Sequence, residues 1–233
     1  MARLYLFAEG QTEQTFADVL LNPHLAVFGV YLHKPVMIAH ARKKGLVHRG
    51  GGGRRYIPMK NDIRRLLRQE KNSSETYFTT MIDLYAIHRG FPGLPDANQF
   101  HRDPRSRVDC LEKAWEQDVG DSRFIPYIQL HEFEAYLFAF PEAFAAIYPR
   151  AESKIAQLRD IAAGYDDPEM IDDGTHTAPS KRIVSVFPDY ARAKSVIGPQ
   201  VAQRIGIEAI RQKCSHFDKW LKKLESLGER SAA

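Results

Sequence analysis

Apolar positions along the chain fall into short continuous runs separated by stripes at helical spacing. Arg3 to Ala8 is aliphatic and aromatic after its arginine, which predicts a buried first strand. Glu9-Gly10-Gln11-Thr12 interrupts the run. Thr12 can cap a helix from about Glu13, with Phe16, Val19, Leu20 and Leu25 on one stripe. Tyr31 to Ala39 predicts a second strand, made an edge or an irregular strand by Pro35. Ala41 to Tyr56 reads as a loop, because a run of four glycines at Gly50-Gly51-Gly52-Gly53 carries too large an entropy cost for a regular interior.

Further along, Met59 to Lys71 predicts a helix with Ile63, Leu66 and Leu67 facing inward. Glu75 to Leu84 predicts a third strand, Phe91-Pro92-Gly93 a turn, and Arg107 to Val119 another amphipathic helix. Arg123 to Leu130 predicts a fourth strand. His131 to Phe144 continues as a helix that starts on carboxylates, and beyond about Pro149 the signals are helical, with a loop around Asp166 to Arg182. Strands alternating with helices give an α/β class, a mostly parallel sheet flanked by helices on both faces with an α-helical C-terminal part. The expected division is an α/β domain over residues 1–148 and a helical region over 149–233 packed on it, or one continuous domain.

In open α/β sheets, ligands gather at the carboxyl ends of the strands. Here the first predicted strand ends at Glu9, the third at Asp83, and the fourth at Glu132 and Glu134. Carboxylates are hard oxygen ligands, and convergent carboxylates repel one another without a cation, so the pattern predicts a divalent metal held by Glu9, Asp83, Glu132 and Glu134. Taken singly, each has a plainer reading: a charge near a helix start, a strand-end cap, a solvated helix start. Glu13, one turn beyond Glu9, can face the same ion or simply sit well at a helix start. His131 can act as a general acid or base, or be a satisfied structural histidine.

Other motifs exclude chemistry. His131-Glu132-Phe133-Glu134-Ala135 begins like a zinc-protease motif but lacks the second histidine. The glycine run has no Gly-Lys-Ser or Gly-Lys-Thr after it, which excludes a P-loop. Cys214 and His216 are too sparse along the chain for a metal site, and Phe217, Trp220 and Leu221 at helical spacing read as core. The two cysteines, Cys110 and Cys214, show no paired spacing, so a disulfide scaffold is not expected. No signal-peptide pattern and no membrane-length apolar run is present, giving a cytoplasmic expectation.

A formal charge of +4 and a pI of 9.0 permit nucleic-acid binding without requiring it. The placement says more. Lys43, Lys44, His48, Arg49, Arg54 and Arg55 surround the glycine run, and Arg64, Arg65, Arg68 and Lys71 follow. They read either as a phosphate track or as a solvated loop and helix face. Pro179-Ser180-Lys181-Arg182 places a hydroxyl and two cations at a helix start, where they can pin a phosphate or simply cap and solvate the helix.

The ordered series Glu9-Gly10-Gln11-Thr12-Glu13 with Phe16, Asp83-Leu84-Tyr85 with Phe91-Pro92-Gly93, Tyr127-Ile128 with His131 to Ala135, Ala178 to Arg182, then Arg211, Cys214, Phe217 and Trp220 resembles the DUF4276 family over almost the whole chain. That resemblance implies a Rossmann-like, TOPRIM-type fold, as in topoisomerases, primases and nucleases of the overcoming-lysogenization-defect (OLD) kind. It implies Mg²⁺ (or Mn²⁺) and chemistry on phosphodiesters, with Glu9 as the glutamate after the first strand and Asp83 as the first aspartate of an Asp-x-Asp motif. Tyr85 stands where the second aspartate falls, and Glu132 or Glu134 can substitute. It further implies a bacterial defence setting, beside an ATPase partner.

Two functions follow. One is a metal-dependent nuclease acting on DNA or RNA, with Glu13 or His131 moving protons and Lys181 or Arg182 stabilising developing charge. Lys43, Lys44, Arg49, Arg54, Arg55 and Arg182 would bind the nucleic acid. The other is a catalytically degenerate effector or sensor subunit of an ATPase complex. Phosphotransfer on a small nucleotide obeys the same metal logic.

Overall fold

The structure is a computed structural model that describes residues 1–43, 46–49, 56–88, 90–171, 174 and 176–230, with the backbone alone at 39–43, 46–49, 86 and 230. Strand β1 (Ala2–Ala8) is the spine of the sheet. On one side it pairs in parallel with β2 (Val30–Leu32) and β3 (Val36–Met37), and on the other with β6 (Thr76–Asp83). Strand β6 pairs in turn with β7 (Phe124–Ile125) and β8 (Ile128–Gln129), also in parallel. All these strands therefore present their carboxyl ends at the same edge.

Side chains alternate across the sheet because successive Cβ atoms point to opposite faces. Leu4, Leu6 and Ala8 enter one apolar cluster, and Phe7 enters the other. The second cluster lies under α3 (Tyr56–Gln69), α4 (Leu94–Ala97) and α5 (Pro104–Val119). The first is covered by α1 (Gln11–Phe16) and α2 (Asn22–Val27), by the 133–146 segment, and by α6 (Glu152–Ala163), α7 (Pro179–Val186), α8 (Tyr190–Ile205), α9 (Ile207–Lys213) and α10 (Ser215–Arg230). A sheet buried on both faces explains why β1 is a continuous apolar run rather than an alternating one. The fold is the expected α/β class, a parallel sheet flanked by helices with a helical C-terminal part. Among the described residues no helix is long and apolar enough to cross a membrane.

Several elements differ from expectation. The second strand divides into β2 and β3 around Pro35, as a residue without an N–H would impose. The fourth divides into β7 and β8 at Pro126, and threonine hydroxyls take over the interrupted ladder. Thr80 Oγ1 accepts from Tyr127 N at 2.8 Å and donates to its carbonyl at 2.9 Å, while Thr79 donates to the Ile125 carbonyl at 2.7 Å.

The expected loop from Ala41 contains an antiparallel pair instead, β4 (Ala39–Lys43) with β5 (Leu46–Arg49), paired Lys43 to Leu46. Only two residues, the second a glycine, separate these strands in the sequence, which is a hairpin spacing. The expected helix from His131 is two 3₁₀ segments, Phe133–Ala139 and Pro141–Ala146. His131 has φ 63°, outside helical space, and Pro141 restarts the chain. Phe133 to Phe138 are all buried, so no solvent stripe exists for an amphipathic α-helix to present. The first helix widens into a π-helical stretch at Ala17–Leu21, just ahead of Pro23.

Helix α10 closes the first cluster with Phe217, Trp220, Leu221, Leu224 and Leu227. It can approach β2 closely because of Gly228, where an added Cβ would lie 1.7 Å from the Phe28 carbonyl oxygen. Gly228→Ala therefore sets a helix-propensity gain of about 1 kcal/mol against a backbone clash that forces α10 outward. A net loss of about 1–3 kcal/mol is expected in urea unfolding. A variant as stable as the parent would show that α10 is not seated this tightly.

Candidate metal centre

Parallel pairing sets the first two acids side by side. The Glu9 N–H continues the ladder to the Met81 carbonyl at 3.0 Å, which fixes the backbone of Glu9 against the end of β6. Glu9 Oε2 then accepts the Asp83 N–H at 2.9 Å. Asp83 Oδ1 accepts from Gln129 Nε2 at 2.6 Å, across from the end of β8. The Gln129 amide also reaches Glu13, whose Oε2 accepts the Gly10 N–H at 3.0 Å and so braces the start of α1.

Glu132 and Glu134 arrive from beyond β8. Both oxygens of Glu132 are gripped by Ser180 in the first turn of α7, through its backbone N–H and through its hydroxyl at 3.0 Å. Glu134 Oε1 accepts from the Tyr190 hydroxyl at 3.3 Å and lies 3.4 Å from Lys194 Nζ. A break in helical geometry at Ala193 immediately precedes Lys194.

Glu9, Glu13, Asp83, Glu132 and Glu134 are all buried. Burial pushes the Glu9 carboxyl up to about 7, against the pull of the Asp83 N–H. Burial and then the charge of Glu9 push Glu13 to about 7. Asp83 is raised well above the carboxylate range, first by burial and then by Glu9, Glu13, Glu132 and Glu134. Burial also raises Glu132 and Glu134; Ser180 opposes it at the first and Lys194 at the second. The phenol of half-exposed Tyr85 is raised by burial and by Asp83, Glu9, Glu132 and Glu134, so its hydroxyl faces the same field.

The chemistry of this donor set fits a hard divalent cation: five carboxylates, one ammonium, and a buried amide oxygen, Gln129 Oε1, with no hydrogen-bond partner. Among the described residues, no three of the five bring ligand atoms all within 4.8 Å of one another. An ion here would be held by one or two of them, with water and substrate phosphate completing its shell, as Mg²⁺ usually is.

The expected acids thus converge, while the cations are placed differently. Lys181 is exposed on α7, one position past Ser180. The site expected to pin a phosphate at that helix start is filled by Glu132. Arg182 hydrogen-bonds the Thr177 carbonyl at 2.5 Å and the Tyr165 hydroxyl at 3.3 Å. His131 is buried between β8 and the 3₁₀ segment. Lys43 and Arg49 lie on β4 and β5 with side chains outside the described set, and Lys44, Arg54 and Arg55 lie outside the described residues. Sequence reasoning missed Lys194, Gln129 and Tyr190, and read Ser180 as a phosphate anchor or a helix cap rather than as the partner of Glu132.

It also set aside Cys214 and His216, and the fold brings each to two carboxylates. Asp109, Glu112 and His216 form one group, and Asp167, Glu169 and Cys214 another, each with ligand atoms within 4.8 Å. Backbone capping accounts for both. Glu112 accepts the Ile128 N–H at 2.8 Å, and His216 Nε2 lies 3.1 Å from the Ile128 carbonyl. Asp167 and Glu169 accept the backbone N–H groups of Ser215, His216 and Phe217 at the start of α10.

The family model of DUF4276, a domain of unknown function, matches residues 8–225. The chain belongs to the DUF4276 family. Among proteins of curated function, none matches it. Two solved structures of the C-terminal region of the Xanthomonas campestris pv. campestris OLD protein are similar to this DUF4276 chain at 14% identity. They cover 100% of this chain and 98% and 99% of theirs, with TM-scores of 0.44 and 0.46.

The raised carboxyls have a consequence for stability. A carboxyl whose folded pKa lies above its unfolded value of 4.5 binds protons more tightly when folded. Stability therefore falls as pH rises from about 4.5 to about 7. In EDTA, the melting temperature of the protein should drop between about pH 5 and about pH 8. Glu9→Gln should melt higher than the parent at the upper pH and show a shallower drop. Glu169 and His216 titrate in the same sense and keep the slope from vanishing. An unchanged slope in Glu9→Gln would mean that the Glu9 charge is not destabilising.

Proposed function

We propose that this protein is a metal-dependent phosphodiester hydrolase, a nuclease acting on DNA or RNA, with its centre at Glu9 and Asp83. The observation that carries this is the burial of five carboxylates at one edge of a parallel sheet with, among the described residues, one ion-paired ammonium. Such a pocket is short of positive charge until a cation and its ligands arrive. Mg²⁺ or Mn²⁺ bound there would neutralise charge on a phosphodiester and supply an activated water.

Glu9 and Asp83 are the proposed ligands, and Gln129 holds Asp83 in place through the 2.6 Å bond. Glu132, fixed by Ser180, and Glu134 stand in for the missing second aspartate at Tyr85. Glu13, held at about 7, suits a general base near neutral pH. Lys194 is the cation best supported for stabilising charge on the phosphate, since it already reaches Glu134. His131 and Lys181 remain second choices for proton transfer and charge stabilisation.

A second reading is supported by Tyr85 and by the Lys194–Glu134 pair, which together leave fewer acids for an ion. In it the chain is a degenerate effector or sensor subunit that works beside an ATPase.

Calorimetric titration with Mg²⁺ and Mn²⁺, run beside incubation with plasmid DNA and total tRNA, tests the first reading. Glu9→Gln and Asp83→Asn should each lower cleavage by at least about 100-fold without changing the far-UV circular dichroism. Cleavage persisting in both variants sinks the nuclease assignment. A parent that binds neither ion, with binding gained on Tyr85→Asp, would establish the second reading.

A further inference from the structure

Helix α3 carries positive charge that the fold uses only in part: against burial, and after Lys60 and Tyr56, the Arg64 charge helps hold the Asp118 carboxyl below its usual range. Arg64 and Arg68 are exposed on its outer face, and exposed Lys71 follows its last turn. Among the described residues, none of the three forms an ion pair with a carboxylate. Arg64 donates to the Asp118 carbonyl at 3.2 Å, and Arg68 donates to the Arg64 carbonyl at 3.1 Å. By contrast, neighbouring Arg65 faces Asp62 at 3.6 Å, and Lys60 pairs with Asp118 at 2.8 Å.

Cations near a helix C-terminus ordinarily serve the last carbonyls. Here Arg123 does that work. It donates to the carbonyls of Leu67, Glu70 and Ser73, and Asp121 balances its charge at 2.8 Å. Arg68 and Lys71 are thus surplus to capping. With Arg64 and the Arg123–Asp121 pair they line a cleft of about 460 Å³ between the ends of α3 and α5.

The position of the cleft bears on its occupant. Arg123 lies just before β7, so the C-terminal end of α3 sits at the opposite edge of the sheet from Glu9 and Asp83. The 14 residues of α3 span about 21 Å between the two edges. A polyanion held at the carboxylate edge and long enough to run that distance would meet Arg64, Arg68 and Lys71 in turn. A single small phosphate ester would not.

We propose that Arg64, Arg68 and Lys71 form a second, remote contact for the phosphate backbone of a nucleic acid whose scissile bond lies at the Glu9–Asp83 edge. The occupant rests on the nuclease reading, but the contact is measurable without cleavage.

Binding of a fluorescein-labelled duplex of about 30 base pairs would be followed in EDTA against salt, for the parent and for Arg64→Ala/Arg68→Ala/Lys71→Ala. Each lost phosphate contact removes about 0.9 from the slope of log K against log salt, so the triple variant should be shallower by about 2–3. Arg64→Lys/Arg68→Lys should restore the parental slope. In Mg²⁺ or Mn²⁺ the triple variant should cleave long nucleic acid with a raised KM, yet hydrolyse bis(p-nitrophenyl) phosphate like the parent.

Should the triple variant fail to fold, Lys71→Glu, at an exposed position past the helix end, should still flatten the slope by about 1 or more. A slope unchanged in the folded triple variant, or in Lys71→Glu, overturns the proposal whether or not the protein cuts. A parent that does not cleave, with the predicted slope change in the variants, would count against the nuclease reading alone.

Discussion

Buried carboxylates that cannot all be charged at once are the constraint around which this fold is arranged. Like charges in a poorly solvated pocket each make the others harder to ionise, and Asp83 feels four of them. The surrounding structure answers with donors: the Asp83 N–H for Glu9, the Gly10 N–H for Glu13, the Gln129 amide for Asp83, Ser180 for Glu132, and Tyr190 with Lys194 for Glu134. These come from β6, the start of α1, β8, α7 and α8. Sheet and C-terminal helices are both needed to hold the acids together.

The other two acidic groups show what a satisfied arrangement looks like. Asp167 and Glu169 lie at the start of α10, where three backbone N–H groups and the positive end of the helix dipole meet them, and Arg105 pairs with Asp167 at 2.6 Å. Glu112 shares a hydrogen with His216, whose imidazole it holds toward its charged form against the pull of burial. Each of those groups finds compensating charge or amides within the chain. At Glu9 and Asp83 compensation is partial, and a buried amide oxygen is left over at Gln129. That difference in hydrogen-bond partners, rather than the number of acids, is what supports the proposed ligand site over a structural cap.

Much of this was legible along the chain, and the illegible part has a common cause. Strand ends were readable because apolar runs stop at Glu9, Asp83 and the 130s segment, and parallel strands must bring such ends together. Ladder partners were not: the fourth strand was read as unbroken across Pro126, and nothing local told that Thr79 and Thr80 would repair the ladder there. Lys194 sits some 60 residues from Glu134, within an ordinary helical stripe. Ser180 looked like a cap for its own helix and instead holds Glu132. In each case the missing information was tertiary. The hairpin at β4 and β5 was a different failure, since its spacing was present but the glycine run beside it dominated the reading.

Tyr85 can be weighed by the same electrostatics. A second aspartate at this position would add a sixth carboxyl to a pocket where Asp83 is already raised by four neighbours. A phenol adds a hydroxyl that stays neutral there and can donate a hydrogen bond to an anionic oxygen. Glu132 and Glu134 bring two acids to the pocket from a segment beyond β8, each with its own donor. With a phenol at Tyr85 and two braced carboxyls at Glu132 and Glu134, the pocket stays rich in acids. The phenol also leaves, at the exposed mouth, a group that does not repel phosphate.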